Sequence, residues 1–395
     1  MKDLFNKCSE FQVVKKIQEA GLYHYFKVIK NGENGTAEID GQKKIMAGSN
    51  NYLGLTHHPK IKEAARKAIE KYGTGCSGSR FLNGTIDLHI ELEEQLARFM
   101  GKEDAVVFST GFQANLGTIS CPVGEEDVIF SDSENHASII EGTRLASGKT
   151  TIYGHHDMMA LEKLLQEHED APGKLIVTDG VFSMTGDIAK LDQIVALAKK
   201  YGARVMVDDA HGIGVLGKNG RGTADHFHLT SEVDIIMGTF SKSLASLGGF
   251  IAATKEVIHY IKHNARSFIF SASMPPAAIA PVIAALDIME TENEHIENLW
   301  KNTRKMKAAL DEMGYNTEPS KTPIIPINVG DDFQTLYFAK AIYEGGVFSN
   351  PVLPPAVAKG HSLLRTSYMA SHTEKELDFI LSVFEKTGRS FELIH

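Results

Sequence analysis

The sequence predicts an α/β fold: a large domain with a mostly parallel sheet covered by helices, followed by a smaller α+β C-terminal domain. Three observations carry this. Short apolar runs of strand length recur at 105–108, 127–130, 174–178, 204–208, 234–238 and 249–252. Helical spacing lies between them at 113–120, 160–167 and 191–201. The 395 residues suffice for one large domain and a companion.

Taken in order, residues 1–20 read as a helix that Gly21 ends. Segment 37–46, with Asp40-Gly41 at its turn, reads as a hairpin. Together they make an N-terminal arm, 1–50. Helical patterns follow at 59–71, stopped by Gly73, and at 91–100. The large domain spans 51–285 and holds the alternating runs. A long helix from about 277 to 302 leads into the small domain, 286–395, with a strand at 322–329 and a last helix at 373–387. There is no internal repeat and no low-complexity linker.

Hydrophobic residues at 43% and charged residues at 23% are values of a globular chain. The net charge of -9 argues against a general nucleic-acid binder, whose affinity comes from neutralising phosphates. Cys8, Cys76 and Cys121 form no CxxC pair and no disulfide framework, which fits a reducing cytoplasm. No apolar run approaches the roughly 20 residues of a membrane span, and the N-terminus lacks the apolar core of a signal peptide. The expectation is a cytoplasmic protein, with peripheral contact at the inner membrane face left open. His57-His58 and His155-His156 have neither i,i+4 spacing nor an HExxH context, so no metal site is expected.

Lys242 is the most informative residue. It lies in Gly238-Thr239-Phe240-Ser241-Lys242-Ser243, just past a buried strand, and small apolar residues follow as far as Phe250. Burial depresses a lysine pKa and frees the amine for imine formation and proton transfer. Thr239 and Ser241 flank it with hydroxyls that suit a phosphate. One strand earlier, Val205-Met206-Val207-Asp208-Asp209-Ala210-His211 ends in a carboxylate and an imidazole. Ligands of parallel sheets bind beyond the carboxyl ends of the strands. A carboxylate there can simply cap the next helix. With the lysine nearby, Asp208 instead suits a protonated pyridine nitrogen. At an effective dielectric of ~20, two unit charges ~4 Å apart attract by about 4 kcal/mol, enough to keep such a ring protonated. An amine for an aldehyde, an acid for a pyridinium, and donors for a phenolate and a phosphate are the parts that pyridoxal 5'-phosphate (PLP) requires.

Other positions extend the set. Gly111 and Phe112 open the helix after 105–108, where free backbone N–H groups make an anion site. His136, in Ser133-Glu134-Asn135-His136-Ala137-Ser138, suits stacking on a pyridine face, and Ser183 suits donation to a ring oxygen. Arg365, in Leu363-Leu364-Arg365-Thr366-Ser367, suits a bidentate grip on an amino-acid carboxylate. Gly73-Thr74-Gly75-Cys76-Ser77-Gly78 spells GxGxxG but follows a helix, where a dinucleotide site needs a strand. It reads instead as part of a glycine-rich substrate loop, 72–85.

On Ser49-Asn50-Asn51-Tyr52-Leu53-Gly54-Leu55, 72–85, 132–138, 207–212, 238–249 and Phe270-Ser271-Ala272-Ser273-Met274-Pro275-Pro276, the chain resembles the α-oxoamine synthases. These are fold-type I PLP-dependent transferases that condense an amino acid with an acyl-CoA and release CO2. The resemblance runs from about 21 to 373. Segments 72–85 and Lys262-His263-Asn264-Ala265-Arg266-Ser267 are most similar to the soluble bacterial serine palmitoyltransferase group, with Ser77 standing where alanine or glycine is expected. The resemblance implies an imine at Lys242, stacking by His136, Asp208 on the pyridine nitrogen and His211 on the phenolate oxygen. Thr239, Ser241, Gly111 and Phe112 would hold the phosphate, with Ser271 and Ala272 reaching in from the second subunit of a homodimer. Asn50, Ser79 and Arg365 would contact the amino acid. The implied substrates are L-serine and palmitoyl-CoA, giving 3-ketodihydrosphingosine, CoA and CO2. Sister reactions (glycine with acetyl-CoA, alanine with pimeloyl-CoA, cysteate with a fatty acyl-CoA) would use the same core residues. An inactive partner subunit of the same fold would be expected to lose Lys242.

Overall fold

The computed structural model describes residues 3–33 and 35–395. Strands are β1 (Ile29–Glu33), β2 (Thr36–Ile39), β3 (Gln42–Met46), β4 (Asp104–Phe108), β5 (Val128–Asp132), β6 (Lys149–Tyr153), β7 (Lys174–Asp179), β8 (Arg204–Asp208), β9 (Ile235–Thr239), β10 (Gly249–Ala253), β11 (Ile324–Gly330), β12 (Val347–Phe348), β13 (Asn350–Val352) and β14 (Ser362–Ser367). Among the described residues, seven of them form the main sheet in the order β4-β10-β9-β8-β7-β5-β6. Strands β9, β8, β7, β5 and β6 pair in parallel, and β10 pairs antiparallel with β4 and β9.

Alternation along each strand divides its side chains between two cores. Val205 and Val207 join Val107, Phe130, Ile176, Ile236 and Phe250 on one face. Met206 joins Val106, Ile129, Val177, Met237 and Ile251 on the other. Each fully buried side chain of this size stabilises by about 1.5–3 kcal/mol, so both faces need helices over them. Helix Pro59–Tyr72, ended by Gly73 at φ 80°, packs on helix Pro276–Thr291 over the first core. Helix Gly111–Ser120 covers the second, its Thr110 Oγ1 accepting the Gln113 N–H at 3.1 Å. The small domain sheet, β11-β14-β13, packs with helices Asp332–Glu344 and Glu374–Ser390 around Met306, Phe338, Leu364 and Phe384. The β2–β3 hairpin turns at Asp40-Gly41 (φ 52° and 74°) and gains β12 as a parallel neighbour, so the N-terminal strands join the C-terminal core.

The structure departs from the sequence reading at several elements, and helices Lys255–Asn264 and Asp332–Glu344 are among those that reading did not name. The helix expected over 1–20 is two short ones, Asn6–Ser9 and Val13–Glu19, neither burying a residue; its first two positions lie outside the described residues. Short helices without a packed face are marginal in water, so nothing drives the two to fuse. The helix expected from 277 to 302 breaks at Glu292 (φ -126°, ψ 84°) into Pro276–Thr291 and Glu294–Glu312. The first lies on the main core; the second passes from it at Leu299 to the small-domain core at Met306 and Leu310. Strand β6 and helix Ala137–Leu145 gave no clear periodic signal: β6 is a half-exposed edge strand, Lys-Thr-Thr-Ile-Tyr. No helix among the described residues is long and apolar enough to cross a membrane.

Candidate active site

The carboxyl ends of β5, β7, β8 and β9 open on a cavity of about 280 Å³. Its wall includes Gly111, Phe112, His136, Ser183, Asp208, His211, Thr239, Ser241 and Lys242. Asn50 and Arg365 stand at its side. The Arg365 Nε donates to the Ser183 carbonyl at 2.5 Å, and its Nη2 donates to Asn50 Oδ1 at 2.9 Å. Strand β14 holds Arg365 in place, because Ser367 N–H donates to the Ala47 carbonyl (2.8 Å) and Ser367 Oγ to the Ser49 carbonyl (2.7 Å). The segment carrying Asn50 is thereby fixed to the strand carrying Arg365.

Asp208 ends β8 and is buried. Its Oδ2 accepts from Asn115 Nδ2 at 2.7 Å and its Oδ1 from the Ala210 N–H at 3.0 Å. His136 caps helix Ala137–Leu145; its Nδ1 accepts the Ser138 N–H at 3.3 Å and lies 2.7 Å from Ser138 Oγ. Burial lowers its pKa, against the pull of Asp208 and with the push of Lys242. The neutral ring therefore carries its proton on Nε2. His211 Nδ1 is 2.7 Å from the Tyr52 hydroxyl, and burial, then Lys242 and Arg365, hold its pKa well below the usual value. Lys242 is half-buried, and burial lowers its pKa to about 8 although Asp208 and Asp179 pull the other way.

At the opposite end the helix N-terminus meets β9 and β10. A Cβ on Gly111 would lie 2.9 Å from Met237 Cε and 3.0 Å from Thr239 Oγ1; one on Gly249 would lie 2.6 Å from Gly111 Cα. Only glycine allows that approach. It leaves a helix N-terminus facing two hydroxyls, with Thr239 Oγ1 and Ser241 Oγ 3.0 Å apart. Anion donors at one end, a buried carboxylate at the other, an imidazole on the wall and an amine of lowered pKa fit PLP.

Like Asn50 and Arg365, three further expected residues lie outside this wall. Ser79 pairs with Ala272 through an isolated bridge, and its buried Oγ has no partner among the described residues. Ser271 Oγ accepts from Gln113 Nε2 at 3.0 Å, and the Ala272 carbonyl accepts from Ser109 Oγ. The sequence reading gave no role to Tyr52, Asn115, Ser138 or Asp179. Asp179 ends β7 as Asp208 ends β8, so the same strand-end signal could have found it. Its pKa is raised well above the usual carboxylate range by burial and then by Asp208. Asn115, one turn into the helix that Gly111 opens, had the weaker signal of an amide on a buried helix face.

Fold and site define a PLP-dependent transferase of the α/β type. The chain belongs to the aminotransferase class I and II family, whose model matches residues 42–384, and within it to the α-oxoamine synthases. It is 54% identical to a serine palmitoyltransferase of Bacteriovorax stolpii over 95% of this chain and 90% of that one. It is 51% identical to one of Sphingobacterium spiritivorum over 98% and 97%. An 8-amino-7-oxononanoate synthase of Thermoanaerobacter pseudethanolicus is 44% identical over 96% and 97%. Among solved structures, Sphingomonas wittichii serine palmitoyltransferase superposes with a TM-score of 0.96 at 36% identity, covering all of both chains. A further structure, described as SPT with a PLP internal aldimine, matches equally well at 36% identity, a TM-score of 0.96 and full coverage of both chains.

Proposed function

We propose that the protein condenses L-serine with palmitoyl-CoA, using PLP, to give 3-ketodihydrosphingosine, CoA and CO2, the entry reaction of sphingolipid synthesis. The observation that carries this is the joining of Lys242, Asp208, His136 and His211 in one cavity with the Arg365–Asn50 pair at its side. Identity to serine palmitoyltransferases of 54% and 51% supports the choice of substrates.

Thr239, Ser241, Gly111 and Phe112 would hold the phosphate, Asp208 the pyridine nitrogen and His211 the phenolate oxygen, with Ser183 beside the ring. When bound, PLP supplies an electron sink for the pair released at the serine Cα. Lys242 removes the Cα proton; its pKa of about 8 leaves a useful fraction of free amine near neutral pH. Arg365 grips the serine carboxylate. Its Nε and Nη2 are already fixed by Ser183 and Asn50, so the guanidinium is oriented before substrate arrives. His136 offers its Nε2–H to the carboxylate and to the thioester carbonyl. A C–C bond forms between Cα and the acyl carbonyl carbon, the C–S bond breaks to release CoA, the carboxylate leaves as CO2, and Cα takes a proton in its place, Lys242 returning the one it removed. A positioned acid or base of this kind contributes ~10²–10⁴-fold.

The reading includes a homodimer in which Ser271 and Ala272 complete the partner's phosphate site; the exposed Phe112, Leu247 and Phe270 support a covered cavity rim. It places the protein in the cytoplasm, leaves peripheral contact at the inner membrane face open, and divides the chain at 1–50, 51–285 and 286–395. The test is CoA release by the purified protein over a panel of amino acids and acyl-CoAs. Turnover of L-serine with palmitoyl-CoA is expected. Turnover of alanine with pimeloyl-CoA but not serine would assign the sister activity that the 44% identical relative favours.

A further inference from the structure

We propose, on the reading of the site above, that His155 is a positioning residue: an imidazolium clamped between Asp132 and Asp187 that holds the loop carrying His136 against the loop carrying Ser183. His155 lies between β6 and helix Met158–Glu167, outside the cavity wall. Its Nδ1 is 2.9 Å from Asp132 Oδ1 and its Nε2 is 2.8 Å from Asp187 Oδ2. Both carboxylates are buried. A neutral imidazole has one N–H, so one of these contacts would set a lone pair against a carboxylate. Two short contacts require two N–H groups and hence the cation. Both ring nitrogens are then committed, and the cluster is a proton-holding one rather than a metal site.

The two carboxylates belong to different parts of the active site. Asp132 ends β5 and opens the loop to His136; its Oδ1 also accepts the Glu134 N–H at 2.9 Å and its Oδ2 the His156 N–H at 3.3 Å. Asp187 closes the turn after β7, where the Phe182 N–H donates to the Asp187 carbonyl at 3.0 Å and Thr185 Oγ1 to Asp187 Oδ1 at 2.5 Å. That turn contains Ser183, whose carbonyl receives Arg365. His155 is thus a bridge from the His136 loop to the turn that receives Arg365, beside the direct bonds of the His136 N–H to Asp179 Oδ2 (3.1 Å) and of the Asp179 N–H to Asn135 Oδ1 (2.8 Å) at the end of β7. The edge of Phe182, 4.4 Å between centroids, and the stacked His156 ring, at 3.9 Å, hold its plane.

The charged and titratable groups facing it are Asp132, Asp187, His156, and Lys190, whose Nζ donates to the His156 carbonyl at 2.9 Å. Burial alone would lower the His155 pKa, but hydrogen bonds and charge from both aspartates outweigh it and raise the value to about 10. His156 moves down, through burial and then the neighbouring His155 charge.

The test uses the holoenzyme. Imidazole 1H–15N spectra of histidine-labelled protein at pH 8, with His155 assigned by its loss in His155→Gln, are expected to show two ring N–H groups. A neutral His155 ring at that pH overturns the proposal. In His155→Gln, serine affinity, read from the change in the cofactor spectrum, is expected to fall about 10- to 100-fold with kcat reduced, because small misplacements of reacting groups carry penalties of that order. Cofactor content should stay near wild type, whereas the melting temperature should fall in His155→Gln, which leaves two buried carboxylates without their cation. Asp187→Asn, which keeps the shape of the cluster, should weaken serine binding in the same direction by a smaller factor. Unchanged serine affinity in both variants, or loss of cofactor in step with serine affinity, also overturns it. If wild type gives no spectral response to serine, the substrate assignment has failed instead; the imidazole spectrum still decides the protonation of His155. The affinity comparison then uses the amino acid that wild type does bind.

Discussion

Gly249→Ala tests the phosphate end of the cavity most directly. Gly249 opens β10 opposite Thr239 on one side and Phe108 on the other. Its new methyl would lie 2.6 Å from Gly111 Cα, 2.8 Å from Gly111 N and 3.0 Å from the Gly238 carbonyl. All three are backbone atoms, so no side chain can rotate away. Carbon atoms prefer separations of about 3.5–4.0 Å, and the helix start must therefore retreat by roughly 1 Å. Overpacking of this kind costs about 1–3 kcal/mol of stability. Loss of one charge-assisted hydrogen bond from the Gly111 N–H to the phosphate costs a further ~1.5–3 kcal/mol of binding, or about 10- to 150-fold in the PLP Kd. The assay is fluorescence titration of apoprotein with PLP beside a melting curve. Gly75→Ala is the control, since a methyl added there would meet no atom within 4 Å and its φ is unexceptional. A Gly249→Ala protein with wild-type PLP affinity would refute the assignment of Gly111 to the phosphate.

Other expectations follow from the same geometry. Lys242→Ala should abolish condensation and the absorption band of lysine-bound cofactor; retention of both would overturn its role. The lowered Lys242 pKa of about 8 predicts that apoprotein captures PLP faster as pH rises. The sign follows from the free amine being the nucleophile: its fraction grows about fivefold from pH 7 to 8 and levels off above about pH 9. Stopped-flow rates that keep climbing about tenfold per pH unit through pH 9 and 10, as for an ordinary lysine, would exclude a depressed pKa. Arg365→Lys keeps the charge but cannot reproduce the planar fork fixed by Ser183 and Asn50. The serine KM should rise about 10- to 150-fold, the loss of one charge-assisted hydrogen bond, with PLP affinity unchanged by titration.

The main sheet was legible because its strands are buried on both faces and read as continuous apolar runs; Val205, Met206 and Val207 all face cores although they face different ones. Lys242, Asp208 and His211 were legible because the loops after such strands are where ligands bind. Edge strand β6 was not, since half-exposed Thr150 and Thr151 give no burial signal. Neither was the break at Glu292, which depends on where two separate cores lie. Asp179 carried the same strand-end signal as Asp208, whereas the role of Tyr52 arises from a neighbour distant in sequence: it meets His211 across 159 positions. Local pattern shows where a cavity opens, whereas the partners of a buried polar group are set by topology.

The electrostatics of the cavity run against those of the whole chain. The chain carries a net charge of -9, yet burial and Asp208 push the Asp179 carboxyl upward toward its neutral form, and His136 and His211 are pushed toward neutrality as well. What remains around the cavity is Asp208 opposed by Arg365 and, below about pH 8, by Lys242. A surface that repels anions at long range thus surrounds a site that attracts them at short range, where screening is weak. A phosphate ester and an amino-acid carboxylate are both anionic, and each meets its own donors, the helix N-terminus for one and the guanidinium for the other. The buried Asp208 carboxylate, which accepts from Asn115 Nδ2 and the Ala210 N–H, would on the proposed reading meet a cationic ring nitrogen. Asp208 and Asp179 both pull the Lys242 pKa up against burial, and the push of the Asp179 carboxyl toward its neutral form weakens that pull on the amine that has to act as base.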